Sequence, residues 1–197
     1  MTFGKPSGKP SKKYGERREK RPPKPLDPTS LRDLALSYVA RFSTSSHKLE
    51  QYLQRKLRER GWSEDAEEQP DTAALAQKYV ELGYIDDEAY ARAKSGGLLR
   101  RGYGARRVSQ ALHQAGIDEA IREEVSPGEA ARREAALVLA RKRRFGPFGP
   151  TVDRPMREKH LARMIRAGHG FDTARAVLDA PTEAAAEEWA AQAYLDE

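Results

Sequence analysis

Apolar positions recur along this chain at helical intervals, and short polar or glycine-bearing breaks separate the runs. Beginning near Thr29, Leu31, Leu34, Ala35, Tyr38 and Val39 mark one face of a first helix. The break Ser43-Thr44-Ser45-Ser46 supplies hydroxyls able to accept from the free N–H groups of the next helix. That second helix places Leu49, Leu53 and Leu57 at i, i+4 and i+8, and Gly61 stops it. An acidic loop over residues 63–71 ends in Pro70-Asp71, and a third helix carrying Leu75, Tyr79 and Leu82 stops at Gly83.

The cycle then repeats. Ile85-Asp86-Asp87 caps a helix running to about Arg101, and Gly102-Tyr103-Gly104 makes a tight turn. Val108, Ala111, Leu112 and Ala115 form the next apolar face, which ends at Gly116-Ile117, and a short helix bears Ile121 and Val125. A third cycle opens with a helix over residues 129–143 and a Pro/Gly loop, Phe145 to Pro150. Leu161, Met164 and Ile165 follow on one helix, Ala174, Val177 and Leu178 on another, and residues 182–195 predict an Ala/Glu end helix. A glycine followed by an apolar residue closes the second helix at Gly61-Trp62, Gly116-Ile117 and Gly170-Phe171, at intervals of 55 and 54 residues. Three such stops at near-equal spacing predict a tandem three-helix unit, although in the third Gly168 competes with Gly170 as the stop and Ile165 sits one residue out of register with Leu57 and Leu112.

Composition agrees with an all-α fold. The chain has 29 Ala and 17 Leu against 7 Val and 4 Ile, which favours helix over strand. No run alternates apolar and polar residues as a half-buried strand does. With 38% hydrophobic and 34% charged residues in 197, the core is thin, as suits an elongated array. The expected organisation is a disordered basic tail over 1–28, three helix-turn-helix-like repeats over 29–83, 84–127 and 128–180, and an acidic C-terminal helix over 181–197. The absence of Cys excludes disulfides and thiolate chemistry. No apolar run is long enough for a membrane span, and the N-terminus lacks the apolar core of a signal peptide. A cytoplasmic protein without membrane contact is therefore expected, and it is taken to be a monomer although the sequence itself gives no oligomeric state.

Charge changes this picture in one respect. Residues 1–28 hold nine Lys/Arg against three acids, which equals the whole net charge of +6. The high isoelectric point therefore reports the tail. Inside the remainder, residues 92–144 carry 13 bases and 6 acids, whereas residues 179–197 carry six acids and no base. A basic middle points to an anionic partner, with a set of solvated helix faces as the plainer reading.

Candidate chemistry is sparse. His47, His113, His160 and His169 form no His-Glu-x-x-His arrangement, and no phosphate-binding Gly-rich loop or nucleophile elbow is present. No metal site and no cofactor are expected. Asp86-Asp87-Glu88 is the one carboxylate group that suggests Mg²⁺ chemistry, but at a helix start it reads better as cap and macrodipole partner. The basic groups remain as partner-binding candidates: Lys56, Arg58 and Arg60 on the second helix, Arg100, Arg101, Arg106 and Arg107 around the Gly-Tyr-Gly turn, and Arg141 and Arg144 at the end of the third unit's first helix. Guanidinium forks suit phosphates and carboxylates alike, so these residues serve a nucleic-acid backbone or an acidic protein surface.

Three segments together carry a family resemblance. Leu82-Gly83-Tyr84-Ile85-Asp86-Asp87-Glu88-Ala89-Tyr90-Ala91 is similar to the Gly, aromatic, aliphatic, Asp-rich cap, acid, aromatic-Ala pattern of the RecX family. Gly104-Ala105-Arg106-Arg107-Val108-Ser109-Gln110-Ala111-Leu112-His113-Gln114-Ala115-Gly116-Ile117 resembles that family's Gly-Pro-basic-basic-Ile segment with its closing Gly-Ile, and Leu53-x-x-Lys56-Leu57-x-x-x-Gly61 is the third match. The resemblance covers about residues 31–180. Departures are Tyr52, where many relatives carry an acid, an expanded Gly168-His169-Gly170-Phe171, and the tail and end helix, which lie outside the pattern. The resemblance implies tandem three-helix repeats in a curved molecule with no catalytic residues. It also implies binding to the RecA recombinase or its filament on single-stranded DNA, restraining ATP hydrolysis and strand exchange in recombination and DNA repair. Two alternatives stand beside it: a stand-alone helix-turn-helix-like DNA-binding module, and a metal-dependent enzyme built on Asp86-Asp87.

Overall fold

The computed structural model describes Met1 and residues 24–196. The tail expected over residues 1–28 falls mostly outside them. Ten α-helices and one 3₁₀ turn follow, and the described residues contain no strand beyond a single isolated bridge. Helices α1 (Pro28–Val39), α2 (Ser46–Arg60) and α3 (Thr72–Glu81) pack around Leu31, Ala35, Leu49, Leu53, Ala76, Tyr79 and Ile85. Helices α4 (Asp87–Leu99), α5 (Ala105–His113) and α6 (Glu119–Glu124) enclose Tyr90, Ala91, Leu98, Val108, Leu112, Ala115 and Ile117. Helices α7 (Glu129–Arg143), α8 (Arg154–Arg166), α9 (Phe171–Asp179) and α10 (Glu183–Asp196) share a third core around Leu137, Phe145, Met164, Val177, Ala186 and Ala190. The core is thus divided into three patches. Burying a Leu, Val or Met side chain stabilises by about 1.5–3 kcal/mol, so each small patch is modest and the joints between units matter.

Side-chain caps set most helix starts. Asp27, Ser45, Asp71, Asp86 and Asp153 each accept from a backbone N–H at the third position of the following helix. Order begins earlier than Thr29. Leu26 is fully buried, its N–H donates to the Gly61 carbonyl at 2.9 Å, and its carbonyl accepts from Ser63 at 2.8 Å. A lone Leu in a Pro/Lys-rich stretch carries no periodic signal, so its anchoring role is invisible in the pattern. At the third glycine stop, the structure decides between the two competing glycines. Gly168, at φ +98°, ends α8, whereas Gly170 at φ −65° is the N-cap of α9. The interval from Gly116 is therefore 52 residues. At both stops the residue after the glycine turns back on the helix: Ile117 N–H donates to Leu112, and His169 N–H to Met164.

The units are joined through the ends of their second helices. The Ala167 and Gly168 carbonyls at the end of α8 accept from the Gly104 and Arg106 N–H groups at the start of α5, at 3.0 and 3.1 Å. The Ala115 carbonyl at the end of α5 accepts from the Ser45 hydroxyl at the start of α2, at 2.6 Å. So α8, α5 and α2 run head to tail, and opposite macrodipole ends meet at each joint. Glycines allow the approach: a Cβ on Gly168 would lie within 2.5 Å of the Arg107 nitrogen, and Gly104 and Gly116 are similarly filled by Gly168 backbone and the His47 side chain. Around the first joint, Asp87 accepts from the Ser46 N–H at 2.9 Å and its hydroxyl at 2.6 Å, and Lys48 donates to the Tyr90 hydroxyl. Around the second, buried His169 bonds the Gly102 carbonyl through Nε2 at 3.0 Å. A carbonyl only accepts, so Nε2 carries a proton and donates it.

The two outer ends of this stack are closed. At the end of α2 the Leu26 N–H takes the Gly61 carbonyl, and Arg60 donates through Nε to the Lys24 carbonyl. At the start of α8 the Asp153 carboxylate accepts from Met156 at 2.9 Å. Terminal units with satisfied ends stop an array from growing.

Two measurements check the joints. Gly168→Ala places a Cβ against backbone at a left-handed φ and is expected to destabilise by about 2–4 kcal/mol in thermal melts. Gly97→Ala, in α4 with open space around the new methyl, is expected to stabilise by about 0.5–1 kcal/mol. Stability also depends on pH. Burial pushes the His169 and His160 pKa values below the ordinary 6.5. The unfolded chain then binds more protons, so stability is full above pH 6.5 and is lost as pH falls through the depressed values. Tm should drop from pH 7.5 to 5, and His169→Asn should flatten part of that drop; an unchanged profile in the variant would assign the dependence elsewhere.

Candidate functional site

A cleft of about 500 Å³ opens where units two and three meet. Its walls are Arg101 and Tyr103 after α4, Leu139, Lys142 and Arg143 at the end of α7, Phe145, and Arg163, Arg166 and Ala167 at the end of α8. Three helices therefore direct their C-terminal ends at one concavity. Gly102 permits it: a Cβ there would press on the Leu139 backbone at 2.9 Å. The floor is apolar, with buried Phe145 stacked on His160 at 4.2 Å between ring centres.

The cleft has five cationic side chains and no carboxylate among its lining residues. Among the described residues, Lys142, Arg143, Arg163 and Arg166 make no ion pair. Arg101 lies over the Tyr103 ring at 5.6 Å and donates through Nε to the Gly97 carbonyl. Cations at helix C-termini complement the macrodipole, but each end supplies only about −0.5 charge. Three ends give about −1.5 against five positive charges, and the α8 end is already matched by the start of α5. An excess of positive charge remains in a pocket between rigid helix ends. Burial first, and Arg163 second, push the His160 pKa below its ordinary value, and its Nδ1 has no partner.

Of the nine partner-binding candidates, only Arg101 lines this cleft. Arg141 turns the other way, pairing with Glu187 of α10 and lying over Phe148 at 5.3 Å. Arg144 adopts a left-handed conformation, φ 56°, that ends α7. Arg100 caps α4 and is exposed. Arg106 lines a separate groove beside Arg132 and Glu129, and Arg107 donates to Gln110. On unit one, Lys56 pairs with Glu59 at 2.6 Å and Arg60 holds Lys24, whereas Arg58 borders an open groove with Lys48, Arg55, Tyr38 and Tyr52. The nine candidates are thus spread over several surfaces. Lys142 and Arg143 lie within the basic run Arg141 to Arg144 that ends α7, whereas sequence reasoning misses Arg163 and Arg166, which a separate helix, α8, brings to the same cleft. Their only sequence signal is a basic last turn on that helix.

The Asp86-Asp87 pair is engaged in structure. Asp86 caps α4 through Ala89 at 2.8 Å, while Asp87 crosses to Ser46 of unit one. Among the described residues no group of three or more His, Cys, Asp or Glu is placed to hold a metal ion. Among them, too, no helix is long and apolar enough to cross a membrane.

Comparison with known proteins places this geometry. A family model described as the second three-helix domain of RecX matches residues 86–125, the span of α4 to α6 with its cap. The chain is 35% identical over 181 residues to the regulatory protein RecX of Myxococcus xanthus, covering 87% of this chain and 95% of that protein. It is 38% identical over 109 residues to the regulatory protein RecX of Thermus thermophilus, covering 55% of this chain and 71% of that one. The crystal structure of RecX from Lactobacillus salivarius superposes with a TM-score of 0.58 at 20% identity, covering 77% of this chain and 96% of that one, a likeness of fold.

Proposed function

The chain belongs to the RecX family of regulatory proteins, and on that premise we propose that it binds the RecA recombinase, free or as its filament on single-stranded DNA, and restrains ATP hydrolysis and strand exchange. Membership of that family supports a regulatory role and motivates this choice of partner. The observation on this chain that supports a contact role is the cluster of cations, unmatched by any carboxylate, held between fixed helix ends. A nucleoprotein filament is a repeating anionic surface, and a jointed array with a basic middle complements it in charge and in form. The protein acts by binding, as a cytoplasmic monomer whose array ends are both closed, and it uses no cofactor. The carboxylates that would serve an enzyme are committed to a cap and a joint.

A stand-alone helix-turn-helix module is the other reading. Such modules present the N-terminal residues of the recognition helix to base edges. Here the starts of α2 and α5 are covered by the ends of α5 and α8, which counts against groove reading by either helix.

The test is the single-strand-dependent ATPase of the cognate RecA with this protein titrated in well below one copy per recombinase. A clear fall in rate at substoichiometric ratios supports action on the filament. No change at excess, with filaments verified by electron microscopy, would overturn it and move the assignment to the DNA-binding module, whose mark is sequence-selective duplex binding that persists in moderate salt.

A further inference from the structure

We propose that the cleft between units two and three is a phosphate site that takes successive phosphodiesters of one nucleic-acid strand. This goes beyond the regulatory reading, because it needs no recombinase. Four of the five cations are arginines, whose forks meet phosphate oxygens in pairs. They come from three helix ends, so the charge is placed by backbone and not by one flexible loop. The volume, about 500 Å³, lies within the range of sites for small molecules and suits a stretch of sugar-phosphate, whereas a folded acidic surface is too broad to enter it. A duplex is convex and carries its phosphates on outer ridges. A single strand bends into a concavity and leaves its bases free. Tyr103, half-buried in the wall, lies under Arg101 and helps hold that guanidinium at the cleft.

Arg163 and Arg166 are exposed and make no bond that the fold depends on, so Arg163→Gln with Arg166→Gln tests the site without endangering the core. The matched control is Arg41→Gln with Lys78→Gln, two exposed, unpaired cations of unit one. The assay is fluorescence anisotropy of a labelled oligo-dT of about 20 nucleotides, long enough to cover a strand-binding groove, with the full chain across a salt series. The basic residues before Lys24 are identical in both variants and contribute equally. The cleft pair should weaken binding about tenfold more than the control pair. It should also lower the slope of log affinity against log salt by about 1.4, or about 0.7 for each phosphate no longer neutralised. Equal weakening in the two variants would overturn the proposal in favour of diffuse charge. A polyglutamate peptide that binds as tightly as the oligonucleotide, with the same sensitivity to the cleft pair, would overturn it in favour of an acidic protein segment. Because RecA is absent from the assay, failure here leaves the ATPase result untouched, and the reverse holds too.

Discussion

The structure depends on one interaction, a backbone carbonyl at the end of one helix accepting from the free donors at the start of another. Every helix end leaves orphan groups that need partners. Here the orphans of the second helices satisfy each other: Ala167 and Gly168 of α8 serve Gly104 and Arg106 of α5, and Ala115 of α5 serves Ser45 of α2. Each bond contributes about 0.5–1.5 kcal/mol net, but leaving such a group buried without a partner costs about 1–3 kcal/mol. The joints therefore resist opening more than their count suggests. Glycines at 104, 116 and 168 are required because a Cβ at any of them would enter the facing helix end.

The same constraint builds the cleft. Joining α8 to α5 brings the ends of α4, α7 and α8 around one space, and helix ends of this polarity favour Lys and Arg in their last turns. Local capping physics thus collects the cations, and their number exceeds what three macrodipole ends neutralise. Arg141, the one member of its run drawn into an ion pair, clasps α10 through Glu187. The acids of the C-terminal helix are partly spent within unit three, and the cations of the cleft are left for a partner.

Much of the fold is legible in the sequence, because helices announce themselves through apolar spacing, hydroxyl or Asp caps and Gly stops. Gly61, Gly83 and Gly116 read as stops and adopt positive φ. What escapes is long-range. Leu26 has no periodic neighbours, so its pairing with Trp62 has no local trace. Gly168 and Gly170 are equivalent in sequence, and only the approach of Arg107 decides between them. Asp87 looks like a cap residue but bonds Ser46, 41 residues away. The cleft escapes for the same reason: Arg143 and Arg163 come together only once α7 and α8 have packed into the third core. Local propensity fixes elements, and the joints decide which surface charges converge.

Amide hydrogen exchange at Gly104 and Arg106 tests the joints most directly. First-turn amides ordinarily exchange fast, since they have no partner within their own helix. If α8 caps α5 as described, both amides should be protected to the level of the Val108 and Leu112 amides in the same unit's core. Exchange at Gly104 and Arg106 as fast as at other first-turn positions would mean that the units are not joined end to end, and the cleft would have no fixed walls.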